Sequence, residues 1–216
     1  MNKISYFSGL IVVLGSAVVN TVHASEHSLR PALVVEWEST TPVAVDVNKQ
    51  PAQLLSAFFG LDNDLPFRAN ALCFGASGKD GMPVVLSHTV AKETLQPEDF
   101  QIVTRSGEVR TPECVTLRPA QDPGERRTVL LIGDLGDAVD NPPLSVQVVG
   151  DLLSDGASVV NFNGAYTDVT PLDAGPSIVL AEEVPESEWA RKTRGTVCPA
   201  GIQQIVRITW NGGVRL

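Results

Sequence analysis

Apolar residues along this chain fall in short β-branched runs and alternations, broken repeatedly by Gly, Pro, Asn and Asp, and almost nothing repeats at helical spacing. Leu33-Val34-Val35-Glu36-Trp37 and the alternating Val43-Ala44-Val45-Asp46-Val47 predict the first two strands. Pro51 to Phe59 (PAQLLSAFF), opened by proline and closed by Gly60, predicts the one short helix. Strands are then expected at Asn70 to Phe74 and Val84 to Leu86, with a turn at Gly78-Lys79-Asp80-Gly81. Phe100 to Thr104 alternates, Arg105 to Glu108 turns, and Cys114 to Leu117 runs again. Thr128 to Ile132 (TVLLI) is an apolar run that belongs at the centre of the core. After the acidic loop Gly133 to Pro143, Leu144 to Val149 alternates, Ser154-Asp155-Gly156 turns, and Val159 to Phe162 forms a further strand. Ser177 to Ala181 and Ile205 to Trp210 complete the set, the last followed by the hairpin turn Asn211-Gly212-Gly213 and a three-residue return. Strands recurring roughly every 8–15 residues with turns between them predict a mainly β, antiparallel sandwich rather than a parallel sheet.

The longest apolar run, Gly9 to Val19, stands apart from these strands. Lys3 precedes it and Val22-His23-Ala24 follows with small side chains, so Met1 to Ala24 is expected to be a secretory signal peptide. Eleven helical residues at about 1.5 Å each fall far short of a ~30 Å hydrocarbon core, which argues against a membrane span. The expected product is a single domain from Ser25 to Leu216, secreted or periplasmic, with no membrane insertion after cleavage. The short C-terminal return strand also fits a piece of a longer protein.

Charge narrows the partners. The chain carries 16 Lys+Arg against 25 Asp+Glu, a net charge of −9, and loss of the leader with its one lysine makes this −10. An acidic surface disfavours nucleic acid and anionic lipid. Of the three cysteines, Cys73, Cys114 and Cys198, one pair can close in an oxidising compartment; Cys73 with Cys114 is favoured because both lie in the strand-rich stretch.

Two kinds of chemistry are open to these residues. His88 is the one imidazole away from the N-terminal region, so a nucleophilic triad would need it beside Cys114 or Ser77, and Phe74-Gly75-Ala76-Ser77-Gly78 does not fit a nucleophile elbow. The acidic groups Asp62 and Asp64, and Asp134, Asp137 and Asp140 with Asn141, are candidate metal ligands that loops at one end of a sandwich could bring onto a Ca²⁺ ion; ordinary turn chemistry explains the same positions. Asp151 and Asp155 flank another turn. Trp37, Trp189 and Trp210 could form a sugar platform or pack in the sheets. No cofactor is expected otherwise.

The segments Thr94 to Val103 (TLQPEDFQIV), Thr128 to Leu131, Ser145 to Leu152 and Ser154-Asp155-Gly156 together resemble a bacterial immunoglobulin-like module over residues 83–171. The resemblance implies a sandwich core over about 66–182 and a role as spacer, adhesion unit or accessory domain. The functional expectation is an exported, non-catalytic binding or structural module. Its rival is a small extracytoplasmic enzyme of the carboxylate type, Ca²⁺-assisted and hydrolase-like.

Overall fold

The computed structural model describes residues 51–120, 123–189 and 201–212. The leader, the strands expected at Leu33–Trp37 and Val43–Val47, Trp37, Cys198 and the C-terminal return strand lie outside them. Among the described residues the protein is mainly β. Its strands are β1 (Leu54–Phe59), β2 (Asp80–Leu86), β3 (Phe100–Thr104), β4 (Val109–Arg110), β5 (Cys114–Thr116), β6 (Thr128–Gly133), β7 (Pro143–Val148), β8 (Tyr166–Pro171), β9 (Ile178–Glu183) and β10 (Val206–Trp210), with one short helix, α1 (Glu186–Trp189).

Eight strands form one sheet in the order β4-β3-β7-β8-β1-β2-β6-β5, and β10 pairs with β9 in a second, small sheet. The large sheet turns on β8. Its first half, Tyr166 to Asp168, runs antiparallel to Gln147, Val146 and Ser145 of β7. Its second half, Val169 to Pro171, runs parallel to Ala57, Phe58 and Phe59 of β1. The sheet is therefore mixed, which corrects the expectation of a purely antiparallel arrangement.

Side chains from both sides of β8 meet in one core. Leu54, Ala57 and Phe59 of β1, Met82, Val84 and Leu86 of β2, and Val129 and Leu131 of β6 pack with Phe100 and Ile102 of β3 and Val146 and Val148 of β7. Leu152 and Phe162 belong to the same cluster. A sheet whose two halves share one apolar cluster has to curl over it. On the opposite face, Leu61, Leu65, Ala69, Cys73, Ala76 and Ile132 form a second cluster, with Leu130 against it. Alternate β6 residues thus enter different clusters, which is why TVLLI carries apolar residues at consecutive positions.

Three local expectations are overturned. Pro51 to Phe59 holds strand β1 rather than a helix: it is paired on both sides, and a register shift between Leu54 and Ser56 erases the alternation that would have marked it. Its outward Phe58 ring is closely covered, since a Cβ on Gly60 or on Gly212 would come within 2.6 Å of it. Asn70 to Phe74 lies in and beyond a 3-10 helix (Phe67–Ala71), not in a strand. Val159 to Phe162 contributes one bridge, Leu153 to Asn161, and the buried plug Phe162. The pattern gave no hint of β8, whose sequence YTDVTP is polar and mostly exposed.

Candidate functional site

The connection from β1 to β2 is built as a run of tight turns. Ala69 N–H donates to Pro66 O, Cys73 N–H to Ala69 O and Ala76 N–H to Cys73 O, while Leu65 N–H to Lys79 O and Gly78 N–H to Leu65 O close its base. Gly75 and Gly78 sit at φ of 80° and 74°, where a side chain would be strained. The spacing of Leu65, Ala69, Cys73 and Ala76 puts one face against Leu61 and Ile132 in the second cluster. Cys73 forms a disulfide with Cys114 of edge strand β5, Cα to Cα 6.3 Å, so this loop is stapled to the sheet. Phe67, Ala71 and Phe74, which lie between these inward positions, are exposed. Phe67 is 81% exposed and Phe74 fully exposed, an unusual place for two large apolar rings.

Below this loop lies a carboxylate that the sequence did not single out. Asp80, 1% exposed, accepts Asn63 N–H at 2.8 Å through Oδ1 and Leu135 N–H at 2.7 Å through Oδ2, with a further backbone bond from Gly136. It clamps the 61–65 and 133–137 loops onto the start of β2. Burial pushes its pKa above the ordinary aspartate value, the three N–H groups oppose this, and nearby Asp62 adds to the rise.

The predicted acidic residues take separate tasks around it. Asp62 Oδ2 accepts Ala138 N–H at 3.0 Å, which ties it to the loop of Asp137 and Asp140. The link is a backbone bond. Asp137 Oδ1 accepts Val139 N–H at 2.8 Å and Asp140 N–H at 2.7 Å, an Asx turn that holds its pKa below the usual range. Asp134 pairs with Arg110, which also holds Glu108. Asp64 and Asp140 are exposed. Among the described residues, no three His, Cys, Asp or Glu side chains gather as a group that could hold a metal ion. Asp151 accepts Asn161 Nδ2–H at 3.0 Å, and Asp155 lies 3.4 Å from Arg126.

The nucleophile candidates separate too. Cys114 is tied up in the disulfide. Ser77 sits on the exposed loop, its amide donating to Asn70 Oδ1 at 2.9 Å. The hydroxyl beside His88 is that of the preceding Ser87, with Oγ 2.9 Å from Nδ1. That hydroxyl also accepts Gln53 N–H at 3.0 Å, and both residues are buried. This is an arrangement that fixes the start of β1 beside the end of β2.

A buried charge network joins the two sheets. Arg127, 6% exposed, donates to Ser87 O at 2.9 Å, Gly124 O at 3.3 Å and Glu182 Oε2 at 2.9 Å. Arg207 of β10 donates to the other Glu182 oxygen at 3.0 Å. Burial lowers the Arg127 pKa, Glu182 raises it and Arg207 lowers it further. Trp189 donates its indole N–H to Val184 O at 2.7 Å, holding α1 against the end of β9; Trp210 is half-buried within β10.

Sequence reasoning missed Phe67 and Phe74 as a surface. The signal was present only as two phenylalanines at positions that the inward set Leu65, Ala69, Cys73 and Ala76 skips. Compared with known proteins, the chain matches no family model, no curated protein and no solved structure.

Proposed function

We propose that the protein is an exported, non-catalytic binding or structural module that meets its partner through the Phe67–Phe74 loop. The observation carrying this reading is the pair of exposed phenylalanines on a loop that a disulfide fixes to the sheet. A soluble domain gains nothing in stability from apolar rings left in water, and covalent fixation removes ordering cost from any contact they make. The disulfide fits an oxidising compartment, in keeping with the leader expected over residues 1–24. The charged groups inside the fold support the non-catalytic side: Asp80 is bonded by backbone N–H groups, Arg127 by backbone carbonyls and Glu182, and Glu182 by Arg127 and Arg207. The immunoglobulin-like sandwich, and the spacer or adhesion role that goes with it, belong to the same proposal.

Expressed with its leader, the protein should be recovered outside the cytosol and begin at Ser25 by mass spectrometry. Cross-linking in whole cells should capture a partner, and Phe67→Ser/Phe74→Ser should abolish that product. Its thermal midpoint should stay within about 2 °C of the parent, as befits surface positions. Intact Met1 on a cytosolic product would refute export, and undiminished cross-linking by the double variant would refute the binding face.

A further inference from the structure

We infer that the outward face formed by Phe67, Ala71 and Phe74 is a contact for the surface of a phospholipid bilayer, a step that rests on the module reading above and names its partner class. Three observations carry it. The first is shape: the loop's inner face is packed and disulfide-bonded, so its outer face presents two rings from a fixed base. A preorganised apolar tip suits shallow insertion between headgroups.

The second is size. Two phenylalanine side chains bury at most about 150–250 Å² each, well below the ~800 Å² per partner of an ordinary protein interface. Shallow lipid insertion needs no such area, because affinity builds from each inserted ring together with local charge.

The third is charge. Residues 65–79 carry Arg68 and Lys79 and no acidic residue, with exposed Asp64 directly before them and buried Asp80 directly after. Lys79 is held by Glu113 at 2.7 Å, and Arg68 makes no ion pair among the described residues. The net charge of −9 led to the expectation that anionic lipid is disfavoured. That charge is spread over the whole chain, and screening at about 0.1 M salt limits its reach to roughly 10 Å. No helix among the described residues is long and apolar enough to cross a membrane, so the contact lies on the surface.

Flotation of the full chain with phosphatidylcholine vesicles, with and without phosphatidylglycerol, tests this. The apolar run Gly9 to Val19 could bind lipid by itself, so the tip is read as the difference between parent and variant. Each phenylalanine replaced by serine should lower vesicle partitioning by roughly tenfold. Arg68→Glu should remove the preference for phosphatidylglycerol while leaving binding to neutral vesicles. Equal flotation of parent and Phe67→Ser/Phe74→Ser overturns the inference, as does a parent that ignores both vesicle types. If vesicles are ignored while the double variant still loses a protein cross-link in cells, the lipid assignment falls and the module reading stands.

Discussion

Replacing Asp80 by Asn tests whether one buried carboxylate organises the end of the sheet beneath the loop. The amide keeps the shape and retains one acceptor oxygen. With that oxygen on Asn63 N–H, the new NH₂ group faces the N–H groups of Leu135 and Gly136. Each buried donor left without an acceptor costs roughly 1–3 kcal/mol, and relief from burying a charge offsets part of the total. The expected loss is about 2–4 kcal/mol, or roughly 4–16 °C in thermal midpoint for a domain of this size. The pH dependence fixes the sign of the electrostatics. Because burial raises the pKa of Asp80, the native state holds this proton more tightly than the unfolded chain does. The resulting stability is fully present below the ordinary aspartate pKa and is lost as pH rises through the higher native value. Asp80→Asn lacks this term, so its deficit against the parent should be largest in acid and narrow toward neutrality. Urea denaturation of both proteins across that range measures it. A deficit that widens from acid to neutral would mean that the three N–H groups outweigh burial, and equal stability throughout would remove the clamp altogether.

Glu182→Ala should leave Arg127 buried without its carboxylate and cost about 3–5 kcal/mol in urea denaturation, whereas Arg127→Met/Glu182→Leu should recover most of that loss; a single variant as stable as the parent would show the network to be ornamental. Cys73→Ser/Cys114→Ser removes a cross-link between residues 41 apart, worth about 4 kcal/mol by loop entropy. Its largest gain in amide exchange should fall on residues 65–79, and uniform exchange gains would show that the bond does not hold this loop in particular.

What could be read from the sequence followed from how each segment is covered. Phe100 to Thr104 alternates because Phe100, Ile102 and Thr104 are buried and the residues between are not; Leu144 to Val149 holds a strand as expected, with Val146 and Val148 in the core but Leu144 exposed and Ser145 buried. Cys73 with Cys114 was preferred from their setting, and the pair is bonded. Pro51 to Phe59 misled because a bulge and burial of both faces remove the period-two pattern. Asn70 to Phe74 misled because Ala71 to Phe74 is an unbroken apolar run, yet only Cys73 of the four is buried and the segment is coiled in turns. Asp80, Arg127 and Glu182 gave no local mark: apart from the Arg127 bond to Gly124 O, the partners named for Asp80 and Arg127 lie 17 to 55 residues away, a separation that short-range pattern cannot register.

The divided pairing of β8 has a bearing on the order in which the chain can be completed. Ala57 must wait for Val169, a partner 112 positions later, and the strands of the two halves interleave along the sequence, so neither half is a contiguous segment. The ribosome therefore releases β1 through β8 before the middle of the sheet can close. Closure at such long range is slow, since the entropy of a large loop is spent before its contacts form. A nascent chain of this wiring stays unlocked until β8 has emerged.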